Sequence, residues 1–276
     1  MCGKRAISLF SGAGGLDIGF EKAGFQIVLS NELDHDAACT WRANRPKSSA
    51  SMRECDIKQL LPELIQYQDK IDVLFGGPPC QGFSVAGKMD PNDSRSELIF
   101  TFLKAVEIVK PTFFVMENVK ALGSLEKWAS VRNKYLAQAE ALGYSVKYSV
   151  FRTSDYGVPQ KRDRVIFIGA KYQDPSLFFN EIKGMTCPAP TAREVLLSVG
   201  KFNTPQNPNT CVANITLAKN PIMRKSPYAG MLVNGAGRPL DLNGLPQTLP
   251  ASMGGNKTPI IDQYSLENEN LSNWFE

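Results

Sequence analysis

The chain has 276 residues, 43% of them hydrophobic, and a formal net charge of +4. This length suits one large and one small domain at about 150 residues per domain, and the hydrophobic fraction excludes a disordered chain. The charge excess is too small to identify a nucleic-acid-binding protein. No segment approaches the roughly 18 consecutive apolar residues that cross a membrane, and residues 1–10 lack the apolar stretch of a signal peptide. We therefore expect a cytoplasmic protein.

Strand-like and helix-like segments alternate through the first two-thirds of the chain. In chain order we predict a strand at 6–10, a helix at 16–23, a strand at 25–30, a helix at 34–42, a weak strand before Cys55, a helix at 57–67, a strand at 71–75, a helix at 96–109, a strand at 112–116, a helix at 125–142 and a ribbon of strands at 144–151 and 165–170. This alternation predicts an α/β, Rossmann-like fold with a doubly wound, mostly parallel sheet.

The texture of the sequence changes after about residue 183. Pro, Asn, Gly and Thr become frequent, helical periodicity fades, and no long helix is evident. We therefore predict two domains. Residues 1–184 would form the cofactor-binding and catalytic domain, and residues 185–276 would form a small irregular region.

The cysteines and the histidine restrict the possible chemistry. Six cysteines are scattered without a C-x-x-C pair, and His35 is the only histidine. This spacing argues against a disulfide framework and against a zinc site, and we expect no metal. A single histidine also disfavours Ser-His or Cys-His catalysis. A general acid or base would then come from a carboxylate, lysine, arginine or cysteine.

Polar or glycine-rich positions come at the end of five predicted strands. They are the glycine turn at 11–15, Glu32, Asp56, Cys80 and Glu117. Ligands bind at the carboxyl ends of the strands in doubly wound sheets, so these positions predict one site. The glycine turn lets backbone N–H groups approach a ligand, although a plain strand–helix turn would look similar. Glu32 is placed to accept hydrogen bonds from ribose hydroxyls. Together they favour a cofactor that contains a nucleoside.

Cys80 stands in a loop stiffened by two prolines and followed by a glycine. An isolated cysteine is more often a small buried hydrophobe than a nucleophile. The context favours the nucleophile, because Glu117 ends the neighbouring strand, and Arg162 and Arg164 alternate at the start of another. Strand periodicity would put both arginines on one face, where they could order a carboxylate and bind a carbonyl oxygen.

These segments resemble, in order and spacing, successive motifs of the cytosine-C5 DNA methyltransferases of bacterial restriction-modification systems. The resemblance extends over residues 5–170, and the segment around Cys80 is its most specific part. The matching segments are Ser8–Asp17 (S-L-F-S-G-A-G-G-L-D), Asn31-Glu32, Cys55-Asp56-Ile57, Gly76–Ser84 (G-G-P-P-C-Q-G-F-S), Glu117-Asn118-Val119 and Gln160–Arg164 (Q-K-R-D-R).

The resemblance implies S-adenosylmethionine as cofactor and a flipped-out DNA cytosine as substrate. It implies that Cys80 adds to cytosine C6, that Glu117 binds N3 and the exocyclic amine, that Arg164 contacts O2 and that Arg162 orients Glu117. Residues 81–93 would form a closing lid. The implied cofactor-binding residues are Phe10, Gly12, Gly14, Leu16, Glu32, Asp56, Ile57, Gly77 and Pro79.

Residues 185–276 correspond to the target-recognition region of this family, and duplex DNA is the implied partner. The implied DNA-binding residues are Gln81, Ser84, Thr248 and Lys257. The match lacks two motifs that end the family pattern, an Arg-Glu helix with Gln-x-Phe-Pro and an Asn-x-Val turn. This departure leaves three interpretations: one subunit of an enzyme completed by a second polypeptide, a truncated chain, or a chain without activity. In each case we expect the chain alone to bind cofactor weakly.

Three other functions stay open at this stage. A tRNA cytosine-C5 methyltransferase would resemble the same family, although Gln-Gly-Phe-Ser after Cys80 fits the DNA enzymes better. A catalytically inactive DNA-binding module could use the same fold as a scaffold. A Rossmann-type dehydrogenase is disfavoured, because the glycine turn does not match G-x-G-x-x-G.

Overall fold

A computed structural model of the protein describes residues 3–79, 97–201, 203–208, 242–246 and 248. The chain forms two compact units. The first comprises residues 1–151 and 163–184, and the second comprises residues 152–162 and 185–276. The segment 152–162, which the sequence assigned to the first domain, therefore groups with the second unit. The division of roles between the two domains stays a prediction.

The first unit is built on a seven-stranded sheet with the strand order β3-β2-β1-β4-β5-β7-β6. Strands β1 to β5 pair in parallel, whereas β7 runs antiparallel to β5. This order confirms the predicted doubly wound, mostly parallel α/β sheet. The strands are β1 (Lys4–Leu9), β2 (Phe25–Glu32), β3 (Met52–Glu54), β4 (Val73–Gly76), β5 (Phe113–Val119), β6 (Ser145–Arg152) and β7 (Asp163–Ala170).

Helices alternate with these strands. They are α1 (Gly15–Lys22), α2 (His35–Asn44), α3 (Ile57–Leu60), α4 (Leu98–Val109), α5 (Lys120–Ser124), α6 (Ala129–Ala141), α7 (Ser176–Lys183) and α8 (Ala192–Val199). Within the described ranges, every helix falls short of the length and apolarity that crossing a bilayer requires.

Three differences from the predicted elements have clear causes. The helix predicted at 57–67 is α-helical only to Leu60 and continues as a 3₁₀ helix, Leu61–Tyr67, because Pro62 lacks the N–H that an α-helix needs. Strand β5 runs on to Val119, so Glu117 lies within the strand. Helix α8 went unpredicted, although Thr191 and Glu194 form the capping box that marks its start.

The core on one side of the sheet is rich in aromatic side chains. Phe102 from α4 and Tyr135 from α6 pack against Phe114 of β5 and Phe167 of β7, and all four are at most 1% exposed. The ring centroids of Tyr135 and Phe167 are 5.4 Å apart in an edge-to-face arrangement. This packing holds β5 and β7 rigidly together, and both strands contribute to the site described below.

The Tyr135 hydroxyl is a weak point of this core. It is buried without a hydrogen-bond partner among the described residues, and burial raises the pKa of Tyr135 well above its ordinary value. We expect Tyr135→Phe to raise the free energy of unfolding by about 1 kcal/mol, because an unsatisfied buried hydroxyl costs roughly that much or more. Urea denaturation measures this change.

Tyr144→Phe is the matched control for that experiment. The Tyr144 hydroxyl is also buried, but it donates a 2.7 Å hydrogen bond to the Pro111 carbonyl. Its removal should lower the free energy of unfolding by about 1 kcal/mol. Equal losses in the two variants would contradict the assignment of an unsatisfied hydroxyl at Tyr135.

Candidate active site

A cleft of about 490 Å³ opens at the carboxyl ends of the strands in the first unit. Phe10 follows β1, Glu32 ends β2, and Gly77 and Pro79 follow β4. Six of the nine residues predicted to bind cofactor line this cleft. The lining consists of Phe10, Asn31, Glu32, Leu33, Asp34, His35, Cys55, Asp56, Ile57, Gly77, Pro79 and Leu98.

Glu32 is held in place by backbone amides. One carboxylate oxygen accepts a 2.7 Å hydrogen bond from the Gly12 N–H, and the other accepts from the N–H groups of Leu33 (2.8 Å) and Asp34 (2.9 Å). Gly12 therefore acts on the cleft through Glu32 and does not line it. The carboxylate is oriented before any ligand arrives, which is what selective recognition of hydroxyl groups needs.

Asp56 occupies the other side of the cleft as the N-cap of α3, where its Oδ1 accepts a 2.8 Å hydrogen bond from the Lys58 N–H. The next residue, Ile57, is 3% exposed and joins the main core while lining the cleft. A carboxylate beside an apolar wall suits a flat heterocycle that carries an amino group.

Leu33 is a lining residue that the sequence reasoning missed. Its side chain is 68% exposed, which is unusual for a leucine and leaves an apolar surface directly beside Glu32. Asn31 was noted only as part of a motif. Its amide donates to the carbonyl oxygens of Arg53 (3.1 Å) and Cys55 (2.9 Å), so it joins the ends of β2 and β3 below the cleft.

Gly14 and Leu16 lie outside the cleft lining, although both were predicted to bind cofactor. Leu16 is 37% exposed on α1. Gly14 has a positive φ of 89°, and a Cβ there would collide with the Arg45 guanidinium and come 2.7 Å from Cδ1 of Trp41. The need for glycine at this position therefore comes from the close approach of α2 to the turn.

Gly14→Ala should lower the free energy of unfolding by about 2 kcal/mol or more, because a left-handed φ and overpacking each cost roughly 1–3 kcal/mol. Gly15→Ala is the matched control. A Cβ at Gly15 meets no atom within 4 Å, so this change should stay within about 0.5 kcal/mol of the wild type. Thermal and urea denaturation measure both. Similar losses in the two variants would refute the steric explanation.

A buried carboxylate, Asp17, supports the glycine turn from below. It is 0% exposed and accepts hydrogen bonds from Ser8 Oγ (2.9 Å), Trp41 Nε1 (2.8 Å) and Ser30 Oγ (3.3 Å). Burial raises the pKa of Asp17 above its ordinary value, and these hydrogen bonds oppose the rise. One side chain thereby ties together β1, β2, α1 and α2.

The exit of β4 is fastened to β5. The Asn118 amide is 1% exposed and donates a 3.2 Å hydrogen bond to the Pro78 carbonyl. A Cβ added to Gly77 would lie 3.1 Å from Oε2 of Glu117, so the backbone of β4 passes close to this carboxylate. Cys80 follows two residues after Pro78. It lies outside the described residues, as do Gln81, Ser84 and Lys257.

Glu117 forms an ion pair with Arg164, with 2.6 Å between Oε1 and Nε. In the antiparallel pairing of β5 and β7, Val119 lies opposite Arg164 and Glu117 lies opposite Ile166. Side chains two residues apart share a face of the sheet, so Arg164 reaches Glu117 diagonally across the two strands. Its Nη1 also donates a 2.8 Å hydrogen bond to the Asp163 carbonyl.

This pairing corrects the predicted division of roles between the two arginines. The sequence reasoning expected Arg162 to orient Glu117, on the assumption that both arginines lie in one strand. Strand β7 begins only at Asp163, and the Arg162 carbonyl accepts a hydrogen bond from the Thr153 N–H in the second unit. Arg164 is therefore the residue that orients Glu117.

In the second unit, Thr248 contacts the chain itself. Its hydroxyl donates a 2.7 Å hydrogen bond to the Lys161 carbonyl, and the Lys161 N–H donates to the Pro246 carbonyl over the same distance. Its predicted contact with DNA stays a prediction. In the part of the chain that the structure describes, no group of three or more His, Cys, Asp or Glu side chains is arranged to hold a metal ion.

Comparison with known proteins identifies the family. The family model described as C-5 cytosine-specific DNA methylase matches residues 4–229. The chain is 43% identical over 171 residues to the type II methyltransferase M1.HphI of Haemophilus parahaemolyticus, which covers 60% of this chain and 45% of that protein. It is 41% identical over 181 residues to the type II methyltransferase M.AquIA of a Picosynechococcus strain, which covers 60% of this chain and 71% of that protein.

The solved structures agree. A crystal structure described as a DNA modification methyltransferase encoded within an E. coli prophage matches with a TM-score of 0.52 and 36% identity, covering 63% of this chain and 48% of that one. The strand order and this match define a Rossmann-like methyltransferase fold. The chain belongs to the C-5 cytosine-specific DNA methylase family, whose members take their methyl group from S-adenosylmethionine. It spans about half the length of the first curated relatives that it matches.

Proposed function

We propose that this chain carries the catalytic machinery that transfers a methyl group from S-adenosylmethionine to C5 of a cytosine in duplex DNA, through a covalent bond between Cys80 and C6. The observation that carries the proposal is the Glu117–Arg164 ion pair beside the backbone of Gly77. It gives a pyrimidine-binding carboxylate a fixed orientation next to the segment that leads to Cys80. Family membership and the cleft support the same function.

The lining of the cleft fits the proposed cofactor. Glu32, held by three amide groups, would accept hydrogen bonds from the ribose hydroxyls. Asp56 would accept from the adenine amino group, and Leu33 and Ile57 would contact the faces of the ring. When bound, the cofactor supplies a methyl group on a positively charged sulfur, which a carbon nucleophile can attack.

The residues of the chain would make C5 such a nucleophile. C5 of a neutral cytosine is unreactive, but addition of the Cys80 thiolate to C6 moves the electron pair of the C5–C6 double bond into the ring and makes an enamine. Glu117, hydrogen-bonded to N3 and the exocyclic amine, would relieve the charge that builds up there. Arg164 would hold Glu117 and contact O2. After the transfer, loss of the C5 proton and expulsion of Cys80 restore the aromatic ring.

Duplex DNA is the proposed substrate, with the target cytosine turned out of the helix at a cost of roughly a few kcal/mol. Gln81, Ser84, Thr248 and Lys257 are the proposed DNA contacts, and residues 81–93 the proposed lid. The enzyme would act on DNA in the cytoplasm of the cell that makes it. A second polypeptide that carries the Asn-x-Val turn is the proposed partner.

The deciding experiment measures the transfer of a labelled methyl group to mixed-sequence duplex DNA, with transfer RNA assayed in parallel. Each reaction is run with and without a polypeptide that carries the Asn-x-Val turn, and Cys80→Ala serves as control. Transfer to DNA that disappears in Cys80→Ala supports the proposal. Transfer that persists in Cys80→Ala would refute the covalent mechanism, and labelling of transfer RNA alone would point to an RNA methyltransferase.

DNA with fluorine at cytosine C5 tests the covalent step separately. The fluorine cannot leave as the C5 proton does, so an enzyme that adds Cys80 to C6 and transfers the methyl group stays bound to the DNA. We expect a protein–DNA complex that survives denaturing electrophoresis and that maps to Cys80. A DNA-binding module without catalysis would give a complex that denaturant dissociates.

A further inference from the structure

A cluster of four polar side chains stands at the rim of the cleft, at the start of α2. The sulfur of Cys39 lies 3.5 Å from Nε2 of His35, and Nδ1 of His35 lies 2.7 Å from Oε1 of Glu54. The other oxygen of Glu54 accepts a 2.6 Å hydrogen bond from Arg42. His35 and Cys39 are four residues apart on one helix, so they lie on the same face one turn apart.

This arrangement gives His35 the geometry of a base that serves Cys39. Both ring nitrogens are engaged, one with the thiol and one with the carboxylate, so the imidazole is oriented. The hydrogen bond and charge of Glu54 raise the pKa of His35, and Arg42 and His35 lower the pKa of Glu54. Glu54 therefore stays anionic at neutral pH and favours a proton on the imidazole.

Cys39 is also accessible. It is exposed on α2, and the side chain of His35 is 72% exposed. Thiolates, not thiols, attack disulfides, and an adjacent histidine that accepts the thiol proton raises the thiolate fraction. The proposed methyl transfer makes no use of this thiol, and the cluster lies apart from the pair formed by Glu117 and Arg164.

We propose that Cys39 is a thiol–disulfide exchange site, activated by His35 and Glu54, which reacts with low-molecular-weight disulfides. The thiol proton passes to Nε2 of His35, and the thiolate attacks one sulfur of the disulfide. The bond between the two sulfurs of the small molecule breaks as the bond to Cys39 forms. The leaving thiolate takes a proton from the imidazolium or from water. The product is a mixed disulfide on α2, and a reducing thiol reverses it.

The position of the cluster gives this modification a consequence for the cleft. His35 lines the cleft that we assign to S-adenosylmethionine, one residue after Asp34 and three after Glu32. A group attached to Cys39 would displace His35 or lie across the opening between it and Leu33. We infer that the mixed disulfide weakens cofactor binding, an inference that rests on the proposed function.

The reactivity is tested with 5,5′-dithiobis(2-nitrobenzoate) at neutral pH, using peptide mass mapping to follow each cysteine separately. Cys187, the other exposed thiol among the described residues, is the matched control. We expect Cys39 to react about 10-fold faster than Cys187 or more, and His35→Gln and Glu54→Gln to remove most of this advantage. Equal rates at Cys39 and Cys187, or no effect of either substitution, would overturn the proposal.

The effect on the cleft is tested by titrating S-adenosylmethionine into protein carrying glutathione on Cys39, before and after reduction with dithiothreitol. We expect the modified protein to bind at least about 5-fold more weakly, reduction to restore binding, and Cys39→Ala to bind normally under oxidation. Unchanged affinity after modification would overturn the link to the cleft. An unmodified protein that binds no cofactor would count against the proposed function instead, and the labelling rates would still decide the reactivity of Cys39.

Discussion

Replacing Arg164 with alanine is expected to slow methyl transfer by about 10²- to 10³-fold, the range seen when one oriented charge partner leaves an active site. Its guanidinium makes a 2.6 Å ion pair with Glu117, and both side chains are about three-quarters buried. Without it, Glu117 loses the group that fixes its orientation toward the ring. The measurement is the rate of adduct formation with fluorinated DNA, together with single-turnover methyl transfer.

Two comparisons make this result interpretable. Arg164→Lys keeps the charge but loses the planar fork, so we expect it to recover only part of the rate. Lys120→Ala breaks the neighbouring ion pair with Asp163, in which Lys120 is 52% exposed, and it should change the rate by less than about 3-fold because exposed pairs contribute little. A similar loss in Lys120→Ala and Arg164→Ala would indicate general damage to the ends of the strands.

Asp17→Ala is expected to lower the free energy of unfolding by about 3 kcal/mol, because it leaves buried donors of Ser8, Ser30 and Trp41 without their acceptor. Asp17→Asn is the matched comparison. Its side-chain oxygen can still accept from Trp41, and the Ser8 hydroxyl can turn to accept from the new amide, so we expect a loss of about 1 kcal/mol or less. Urea denaturation near neutral pH measures both. Equal losses would show that the carboxylate matters through its charge.

The pH dependence of the Asp17 pair of variants has a definite sign. Burial raises the pKa of Asp17 in the folded protein above its unfolded value. Such a group favours the folded state below the unfolded pKa, and this advantage is lost as the pH rises through the folded pKa. The stability of the wild type relative to Asp17→Asn should therefore increase when the pH is lowered from 7 towards 4. A decrease over this range would contradict a raised pKa.

Much of the fold follows from the sequence because its signals are local. Apolar runs of strand length alternate with segments of helical period, and these signals depend on residues close together in the chain. The positions of Glu32, Asp56 and Gly77 at one edge follow from the same alternation, since the carboxyl ends of parallel strands meet there. The capping box at Thr191 shows that one unpredicted helix also had a local signal.

The contacts between distant segments were not readable in this way. Which arginine reaches Glu117 depends on the register of β5 against β7, and a shift of one residue exchanges the faces of a strand. The three partners of Asp17 come from β1, β2 and α2, so the carboxylate looked like an ordinary position at the start of a helix. The pairing of His35 with Glu54 depends likewise on how α2 lies against β3.

The antiparallel strand β7 has a geometric consequence for this class of fold. The parallel strands β1, β2, β4 and β5 all point toward one edge, so only residues at their carboxyl ends reach it. Strand β7 runs the other way and brings its first residues to that same edge. Arg164 can therefore face Glu117 although one begins its strand and the other stands near the end of its own. Had the seventh strand joined in parallel, its opening arginine would lie at the opposite end of the sheet, one full strand length from the chemistry.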